Sequence, residues 1–342
     1  MSRPLLLAAA LLALVLPGTA AAAKPKTSWA DAEIRIVVAR GLMAAEPETF
    51  RPDDAVTRGE LAELVARLTA QEQPVLANPA APLNMEGLNA RLVHGLGLRN
   101  AAAAFAQGAK AAGLAPTSRF GTEVVARLLG LRKNHPAKQD PLERLPLDPA
   151  TRAEAAYSAA QILRFRGWEL ERVQEAAARF ALPELTAWER RILTTAFKRV
   201  GLPYIWGGTS DKAQASFGVT VPGGYDCSGF VWRVYKLQPY AGSRTLAQTL
   251  RGRTSYAMSG EVPKAKRIGL DALRPADVVF FGAKGPRSKP AEVDHMGIYV
   301  GNGWFVHSSR QGVALETLDG WYGARFAWAR RPLAEAGLSS AP

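Results

Sequence analysis

The chain contains a single cysteine, Cys227, among 342 residues, so it cannot form an internal disulfide. It has only four histidines, and no apolar run reaches the roughly 18 residues that a membrane-spanning helix needs. These absences exclude a small disulfide-stapled scaffold and disfavour an integral membrane protein. With 48% apolar and 21% charged residues, the composition is typical of a globular protein held together by hydrophobic cores.

The first 23 residues have the layout of a secretory signal peptide. Arg3 precedes an apolar run from Leu5 to Leu16, and Pro17 and a string of alanines follow. This pattern predicts cleavage near residues 20–23 and export of a soluble mature chain. No cysteine follows the apolar run, so the thiol that a lipid anchor would need is missing there.

The positive charge is concentrated in the second half of the chain. The net charge is +13, with 23 basic and 20 acidic residues over 24–194 but 19 and 10 over 195–342. In an exported protein such a charge favours anionic cell-wall polymers or membrane headgroups as partners, and we do not expect nucleic acid. A basic surface without a specific ligand, including the stretch 264–289, is the alternative.

The length of the sequence and the change of its composition along the chain predict two domains. Residues 24–163 are helical in pattern, and residues 164–194 form a helical connector with a break near Pro183. Beyond Gly201 glycines become dense and short β-rich runs appear. We therefore expect an α+β domain over 195–334, one helix packed on a small antiparallel sheet, followed by a tail at 335–342.

A helix, loop, helix unit opens the first domain. Apolar residues recur at helical spacing after Trp29, Gly41 can end the first helix, and Thr57 with Glu60 forms a capping box for the second. Weaker copies of this sequence pattern occur at 105–129 and 147–163. They suggest repeats that bury their apolar faces against one another.

These units resemble S-layer homology repeats, which tether exported bacterial proteins to cell-wall polymers. The resemblance rests on Phe50-x-Pro52-Asp53, on Thr57-Arg58-Gly59-Glu60 and on Thr151-Arg152-Ala153-Glu154. It implies that Arg58 and Arg152 line a glycan pocket. The copy at 105–129 has Gly121 where the arginine should stand, so a helical accessory domain that only packs on its neighbour is the alternative.

Cys227 stands in the stretch Gly-Gly-Tyr-Asp-Cys-Ser-Gly. Apolar residues from Phe230 to Leu237 fall on one helical face, which places the cysteine in the first turn of a helix. The positive end of a helix favours thiolate over thiol, so we interpret Cys227 as a nucleophile. An inert buried cysteine is the alternative, although it would not require so polar a surrounding.

A cysteine nucleophile needs a base, and His295 and His307 flank a predicted hairpin. A two-residue turn at 302–303 would place the two rings on opposite faces of the sheet. A loop of three residues, or an equivalent bulge, would pair His307 with Gly297 and bring both rings to one face. We predict the second register. His94 and His135 lie in the other domain and are interpreted as structural or merely exposed.

The second domain resembles NlpC-type cell-wall cysteine peptidases, compact relatives of papain. The motifs occur in the family's order over about 195–332: Tyr204-Ile-Trp-Gly-Gly208, Tyr225-Asp-Cys-Ser-Gly-Phe230, Arg244-Thr-Leu-Ala-Gln248, Pro275-Ala-Asp-Val-Val-Phe-Phe281, Asp294-His-Met-Gly-Ile-Tyr299 and Val306-His307. The resemblance implies a papain-like α+β fold and cleavage of peptidoglycan stem peptides.

The same resemblance assigns roles to four catalytic residues. Cys227 attacks the amide carbonyl, and His295 takes the thiol proton and returns it to the leaving amine. His307 orients the His295 ring, and the Tyr204 hydroxyl helps to position the substrate or the oxyanion. The backbone amide of Cys227 is expected to meet the oxyanion.

Four further residues are predicted to contact the substrate: Trp206, Asp226, Ser228 and Arg244. The resemblance implies that the Asp226 carboxylate meets a free L-Ala amine, with an ordinary helix cap as the alternative. Arg244 is expected to face a substrate carboxylate, with a packing role as the alternative. The bond expected to be cut joins D-γ-glutamate to meso-diaminopimelate or lysine.

Three other interpretations are compatible with the sequence. The chain could be an N-acetylmuramoyl-L-alanine amidase, or a wall-binding protein without activity. A zinc site of Cys227, His295, His307 and Asp294 is conceivable by residue type, but the spacings match no common zinc motif, so we expect no cofactor. Asp294 is otherwise expected to be a loop or supporting residue.

Overall fold

The computed structural model describes residues 28–136, 138–243 and 245–338. The predicted signal peptide and Arg244 lie outside these residues. The helices are α1 (Asp31–Ala39), α2 (Arg58–Thr69), α3 (Met85–Gly95), α4 (Arg99–Ala111), α5 (Phe120–Leu128), α6 (Arg152–Ile162), α7 (Trp168–Arg179), α8 (Ala187–Phe197), α9 (Cys227–Trp232), α10 (Leu246–Thr249), α11 (Ser255–Gly260), α12 (Gly320–Arg325) and α13 (Pro332–Glu335). Of the helices in these ranges, none has the length and apolar character to cross a membrane.

The strands all follow α8. They are β1 (Thr209–Ser210), β2 (Gln214–Ser216), β3 (Val219–Val221), β4 (Gly224–Tyr225), β5 (Val278–Gly282), β6 (Val293–Gly301), β7 (Trp304–Ser309), β8 (Gly312–Thr317) and β9 (Phe326–Arg330). An antiparallel five-stranded sheet has the order β8-β7-β6-β5-β9, and α9 packs against β6 and β7. The α+β class predicted from the sequence is confirmed.

The first helix, loop, helix unit folds as its sequence predicts. Gly41 adopts a left-handed φ of +69° two residues after α1 ends. Thr57 accepts a hydrogen bond from the Glu60 amide, and the Glu60 carboxylate accepts one from the Thr57 amide, so the capping box is complete. These local signals stop α1 and start α2 where the chain must reverse.

Three backbone hydrogen bonds form a closed ring at the centre of the helical region. The Val56 amide donates to Ala150 O (2.8 Å), the Ala150 amide to Leu83 O (2.8 Å) and the Leu83 amide to Val56 O (3.0 Å). The residue that follows each member caps a helix with its side chain: Thr57 for α2, Asn84 for α3 and Thr151 for α6. The helical region is therefore organised around a pseudo-threefold centre.

The middle member of this ring is not the segment 105–129 that the sequence pattern suggested. That segment contains most of α4 and all of α5, and α5 begins at Phe120 without a side-chain cap. A Cβ on Gly121 would lie 2.0 Å from the Ala102 carbonyl oxygen. The glycine is thus required for close packing of α4 on α5, and it does not replace a pocket arginine.

The two arginines of the Thr-Arg-x-Glu motifs have different environments. Arg152 is 4% exposed, donates to the carbonyls of Phe50 and Met43 (both 2.7 Å) and forms an ion pair with Glu60. Its guanidinium therefore joins the first unit to the third and offers no free donor face to a polymer. Arg58 is exposed and keeps the position that the resemblance implies.

This contrast gives a matched pair of variants. Arg152→Ala removes one partner of a largely buried ion pair, so we expect the free energy of unfolding to fall by about 3 kcal/mol. Arg58→Ala at the equivalent helix position should change it by less than about 0.5 kcal/mol. Urea unfolding followed by circular dichroism measures both, and equal effects would contradict the structural role given to Arg152.

The helical region packs directly on the sheet region. The Trp304 ring of β7 contacts Phe105 of α4 and Phe180 at centroid distances of 5.7 and 5.3 Å. Arg127 of α5, paired with Glu123, donates to the Gly201 carbonyl (2.9 Å). Apolar and polar contacts thus both join the two regions.

The β6-β7 hairpin reaches the predicted register by the second of the two predicted routes, a bulge. Gly301 pairs with Trp304 around a two-residue turn, in which Asn302 and Gly303 have left-handed φ values of +49° and +78°. A bulge between Tyr299 and Gly301 then shifts the pairing by one residue, so that His307 lies opposite Gly297. The register is confirmed through the bulge, whereas the loop of three residues is wrong.

Candidate active site

Cys227 is the first residue of α9. Asp226 caps this helix by accepting a hydrogen bond from the Gly229 amide. A Cβ on Gly229 would lie 1.9 Å from the Gly208 carbonyl oxygen, so only glycine lets the helix start approach the Gly207-Gly208 loop this closely. The tight glycine frame seen in the sequence therefore places the cysteine against that loop.

The side chains on either side of the cysteine, Asp226 and Ser228, form hydrogen bonds with other residues of the protein. Asp226 accepts hydrogen bonds from the Gly207 amide (2.9 Å) and from the Ser228 hydroxyl (2.9 Å). Arg253 donates to the Ser228 hydroxyl (2.7 Å) and pairs with the Asp226 carboxylate (3.2 Å). The Asp226 charge is already compensated, so this carboxylate is not the free partner for a substrate amine that the resemblance implied.

Arg253 was missed in the sequence analysis, which selected Arg244 as the arginine of the site. Arg244 lies outside the described residues. Arg253 also precedes a threonine, and Thr254 caps α11 through its side chain. The second Arg-Thr pair, nine positions further on, was the signal that could have found it.

The two predicted histidines lie on one face of the sheet and contact each other. His295 Nε2 is 2.7 Å from His307 Nδ1. The His307 side chain is fully buried, and Tyr322 packs on both rings at centroid distances of 6.0 and 5.0 Å. This contact occupies Nε2 of His295 and leaves Nδ1 as the nitrogen able to exchange a proton with a substrate or nucleophile.

The thiol lies beside the backbone of the residue that follows the predicted base. The backbone amides of Ser228 and Met296 both act to lower the pKa of the Cys227 thiol, so both amides lie near the sulfur. This proximity follows from the packing of α9 against β6. The structure thereby brings Cys227 and His295 together.

Enclosure by the protein opposes charge on both members of the pair. Burial, followed by the nearby Asp226 carboxylate, raises the pKa of the Cys227 thiol to about 12. Burial, followed by His307 and Arg325, lowers the pKa of His295 well below its usual value. Burial therefore acts against the helix end at this thiol, and both shifts favour a neutral thiol beside a neutral imidazole.

Tyr204 remains protonated and close to the thiol. Burial and the neighbouring Cys227 raise its pKa, so the phenol is a hydrogen-bond donor at neutral pH. Trp206, two residues further on, is 63% exposed and presents an aromatic surface beside the Gly207-Gly208 loop. Both residues stand where a substrate chain could meet them.

A cleft with a volume of about 890 Å³ adjoins His295. It is lined by Asn134, Tyr204, Asp294, His295, Ser308, Ser309, Arg310, Gln311, Glu316, Trp321, Tyr322 and Arg325. The cleft is the space available to a peptide at this site.

One wall residue, Asn134, comes from the helical region. Its side chain accepts from the Tyr204 amide (3.2 Å) and donates to the Ser309 carbonyl (3.0 Å), and its own amide donates to the Arg310 carbonyl (2.8 Å). Asn134 thus holds the Tyr204 segment and the β7-β8 turn together. No local signal identified it, since it lies 70 residues before Tyr204.

The remaining candidates have other partners. Asp294 forms an exposed ion pair with Arg325 (2.6 Å), as expected for a supporting residue. His135 is buried, with Nε2 3.2 Å from Glu154, and His94 lies in α3. Within the described ranges no cluster of three or more potential metal-ligating side chains occurs.

A thiol at a helix start, a paired imidazole on the adjacent strand and a protonated phenol are the elements of a cysteine hydrolase site. The profile of the NlpC/P60 family matches residues 201–331, and that of the S-layer homology domain matches residues 23–62. Residues 201–331 are therefore an NlpC/P60 domain, and the family predicted from the motifs is confirmed.

Three curated relatives align with this part of the chain. It is 35% identical over 132 residues to the probable peptidoglycan endopeptidase LytE of Bacillus subtilis, covering 39% of this chain and 30% of the relative. It is 32% identical over 128 residues to the gamma-D-glutamyl-L-lysine dipeptidyl-peptidase of B. subtilis, covering 37% and 34%. It is 33% identical over 119 residues to the murein DD-endopeptidase MepH of Escherichia coli, covering 35% of each. The chain thus spans about a third of the length of each relative.

The neutral resting pair predicts the reactivity of the only cysteine. At pH 7.5 we expect iodoacetamide to alkylate Cys227 at least about a hundredfold more slowly than a free cysteine, with a rate that rises beyond pH 9. The same chain unfolded in guanidinium chloride is the control, because its thiol has an ordinary pKa. Fast alkylation that is constant between about pH 5 and 8 would instead reveal a standing thiolate-imidazolium pair.

Proposed function

We propose that this chain is an exported cysteine endopeptidase of the bacterial cell wall that cleaves peptidoglycan stem peptides. The observation that carries the proposal is the 2.7 Å contact between His295 Nε2 and His307 Nδ1 beside the thiol-bearing end of α9. It supplies a base with one nitrogen oriented and the other free. The names of the aligned relatives, all peptidases, support the same class of reaction.

The proposed mechanism starts from neutral partners. The Cys227 sulfur attacks the amide carbonyl while the thiol proton moves to Nδ1 of His295. His295 then gives this proton to the leaving amine, and an acyl-enzyme remains on the sulfur. A water molecule, deprotonated by the same imidazole, attacks the thioester and restores the thiol. The Cys227 amide and the Tyr204 hydroxyl stabilise the oxyanion.

The proposed scissile bond joins D-γ-glutamate to meso-diaminopimelate or lysine. One aligned relative carries this glutamyl-lysine specificity in its name, and another is named for a DD bond. The substrate would lie in the cleft lined by Tyr204, His295 and the β7-β8 turn, and the exposed Trp206 ring would meet it beside the Gly207-Gly208 loop. Asp226 and Ser228 shape the loop in this proposal, because Arg253 already pairs with both.

Digestion of defined substrates tests this function. Wild type is expected to release a free diamino-acid amine from stem tetrapeptides and sacculi, and Cys227→Ala to lose at least about 10³-fold in rate. Mass spectrometry of the products distinguishes the alternatives: a freed lactyl group indicates an amidase, and cleavage only of cross-linked dimers indicates a DD-endopeptidase. Binding to sacculi without any product would support the wall-binding protein instead.

We also propose that the helical region binds a cell-wall polymer through Arg58. Its exposed guanidinium occupies the helix start that the S-layer homology motif uses, within the matched residues 23–62. In a Cys227→Ala background, which leaves sacculi intact, Arg58→Ala should weaken binding to sacculi about tenfold, as expected for one charged hydrogen bond. Arg40→Ala, also exposed, is the control. Equal binding by both variants would remove Arg58 from the interface.

A further inference from the structure

Glu316 lies next to the buried side of the histidine pair. In the β7-β8 ladder His307 pairs with Ala314 and Phe305 pairs with Glu316, so Glu316 and His307 are diagonal neighbours on the same face of the sheet. The Oε1 atom of Glu316 is 3.5 Å from Nε2 of His307. The carboxylate is 23% exposed and also lines the cleft, so it meets both the histidine and the solvent.

Among the residues that the structure describes, Nε2 of His307 has no other partner. The side chain is fully buried, and within the described parts of the chain Nε2 is one of the buried polar atoms without a hydrogen bond. A distance of 3.5 Å is longer than an ordinary hydrogen bond, but such contacts in free active sites often tighten only when substrate binds. Glu316 is therefore the acceptor available to this nitrogen.

A proton on Nε2 of His307 determines the protonation of the whole pair. If Nε2 carries the proton and faces Glu316, Nδ1 of His307 must be unprotonated and can only accept a hydrogen bond. His295 then donates from its Nε2 across the 2.7 Å contact, which leaves its Nδ1 with a free lone pair. That nitrogen is the one required to take the thiol proton.

We propose that Glu316 is a positioning residue that fixes the tautomers of His307 and His295 and so keeps the base ready. The proposal rests on the proposed function. Without a carboxylate, either ring of the pair can donate, and in one of the two arrangements His295 carries its proton toward Cys227 and cannot accept another. Glu316 also supplies a negative charge two groups away from the imidazolium that forms during attack.

The other charged and titratable groups around the pair are few. Arg325 acts on His295 with positive charge, and the Tyr322 phenol packs on both rings. Cys227 lies at the start of α9, which packs on the strand that carries His295. In the described structure, Glu316 is the one carboxylate with an oxygen within 4 Å of a ring nitrogen of either histidine.

Three full-length variants separate the possible roles of Glu316. Glu316→Ala removes both acceptor and charge, so we expect kcat to fall about tenfold with KM within about twofold, in the range seen for residues that orient a histidine. Glu316→Gln retains an acceptor oxygen and should lose only about threefold. In both Glu316 variants, the acid limb of the pH profile of kcat/KM should move to lower pH, because loss of a negative charge lowers the pKa of a neighbouring imidazolium. Asp319→Asn, an exposed carboxylate three residues away, is the matched control.

Imidazole ¹⁵N spectra provide a readout that does not depend on activity. The chain has four histidines, so selective labelling gives few signals, and His94→Gln and His135→Gln help to assign them. We expect single tautomers for His295 and His307 in wild type and Glu316→Gln, and mixed tautomers in Glu316→Ala. If Glu316→Ala does not fold, the pH profile of kcat/KM for Glu316→Gln decides the question. A shift of its acid limb to lower pH would support the proposal, and an unchanged acid limb would overturn it.

Two results would overturn the proposal. One is a Glu316→Ala enzyme with wild-type kcat. The other is a loss of kcat while the tautomers and the acid limb remain those of wild type, which would mean a purely structural role. A wild type that cleaves no wall substrate would instead refute the proposed function, and the ¹⁵N spectra would still test the contact between Glu316 and His307.

Discussion

The site depends on one irregularity in one hairpin. Because side chains alternate along a strand, a regular ladder around the Asn302-Gly303 turn would place His307 on the face opposite His295. The bulge at residue 300 inserts one extra residue and reverses this parity. The contact between the two rings, and every role proposed for the base, follows from that inserted residue.

Burial gives the site its second property. A cysteine at a helix start would usually gain thiolate character, but here desolvation acts more strongly on both the thiol and the imidazole. A neutral pair is a weaker nucleophile at rest, and it is also less exposed to oxidants and to adventitious electrophiles. For the proposed cell-wall peptidase, this is a means of limiting reactivity until a carbonyl group is in place.

Much of the fold could be predicted from the sequence because its signals are local. The capping box at Thr57, the helix after Cys227 and the β-rich runs of the second domain each depend on neighbouring residues. The middle unit at Asn84 and the contacts of Arg253 and Asn134, in contrast, depend on partners far along the chain. Hydrophobic periodicity cannot reveal such partners. It also suggested a repeat at 105–129 that the structure does not contain, because all amphipathic helices share the same periodicity.

The ring of hydrogen bonds through Val56, Leu83 and Ala150 has a consequence for folding. In a linear repeat protein each unit contacts only its neighbours, so stability is roughly a sum over units and folding can start anywhere. Here each of the three segments donates a backbone hydrogen bond to one partner and accepts one from the other. The ring closes only when segments up to 94 residues apart in the chain have come together. No unit satisfies its own backbone alone. The helical region should therefore fold in a single cooperative step with a slow, topology-limited rate, and truncation within 56–150 should abolish the whole region and not merely shorten it.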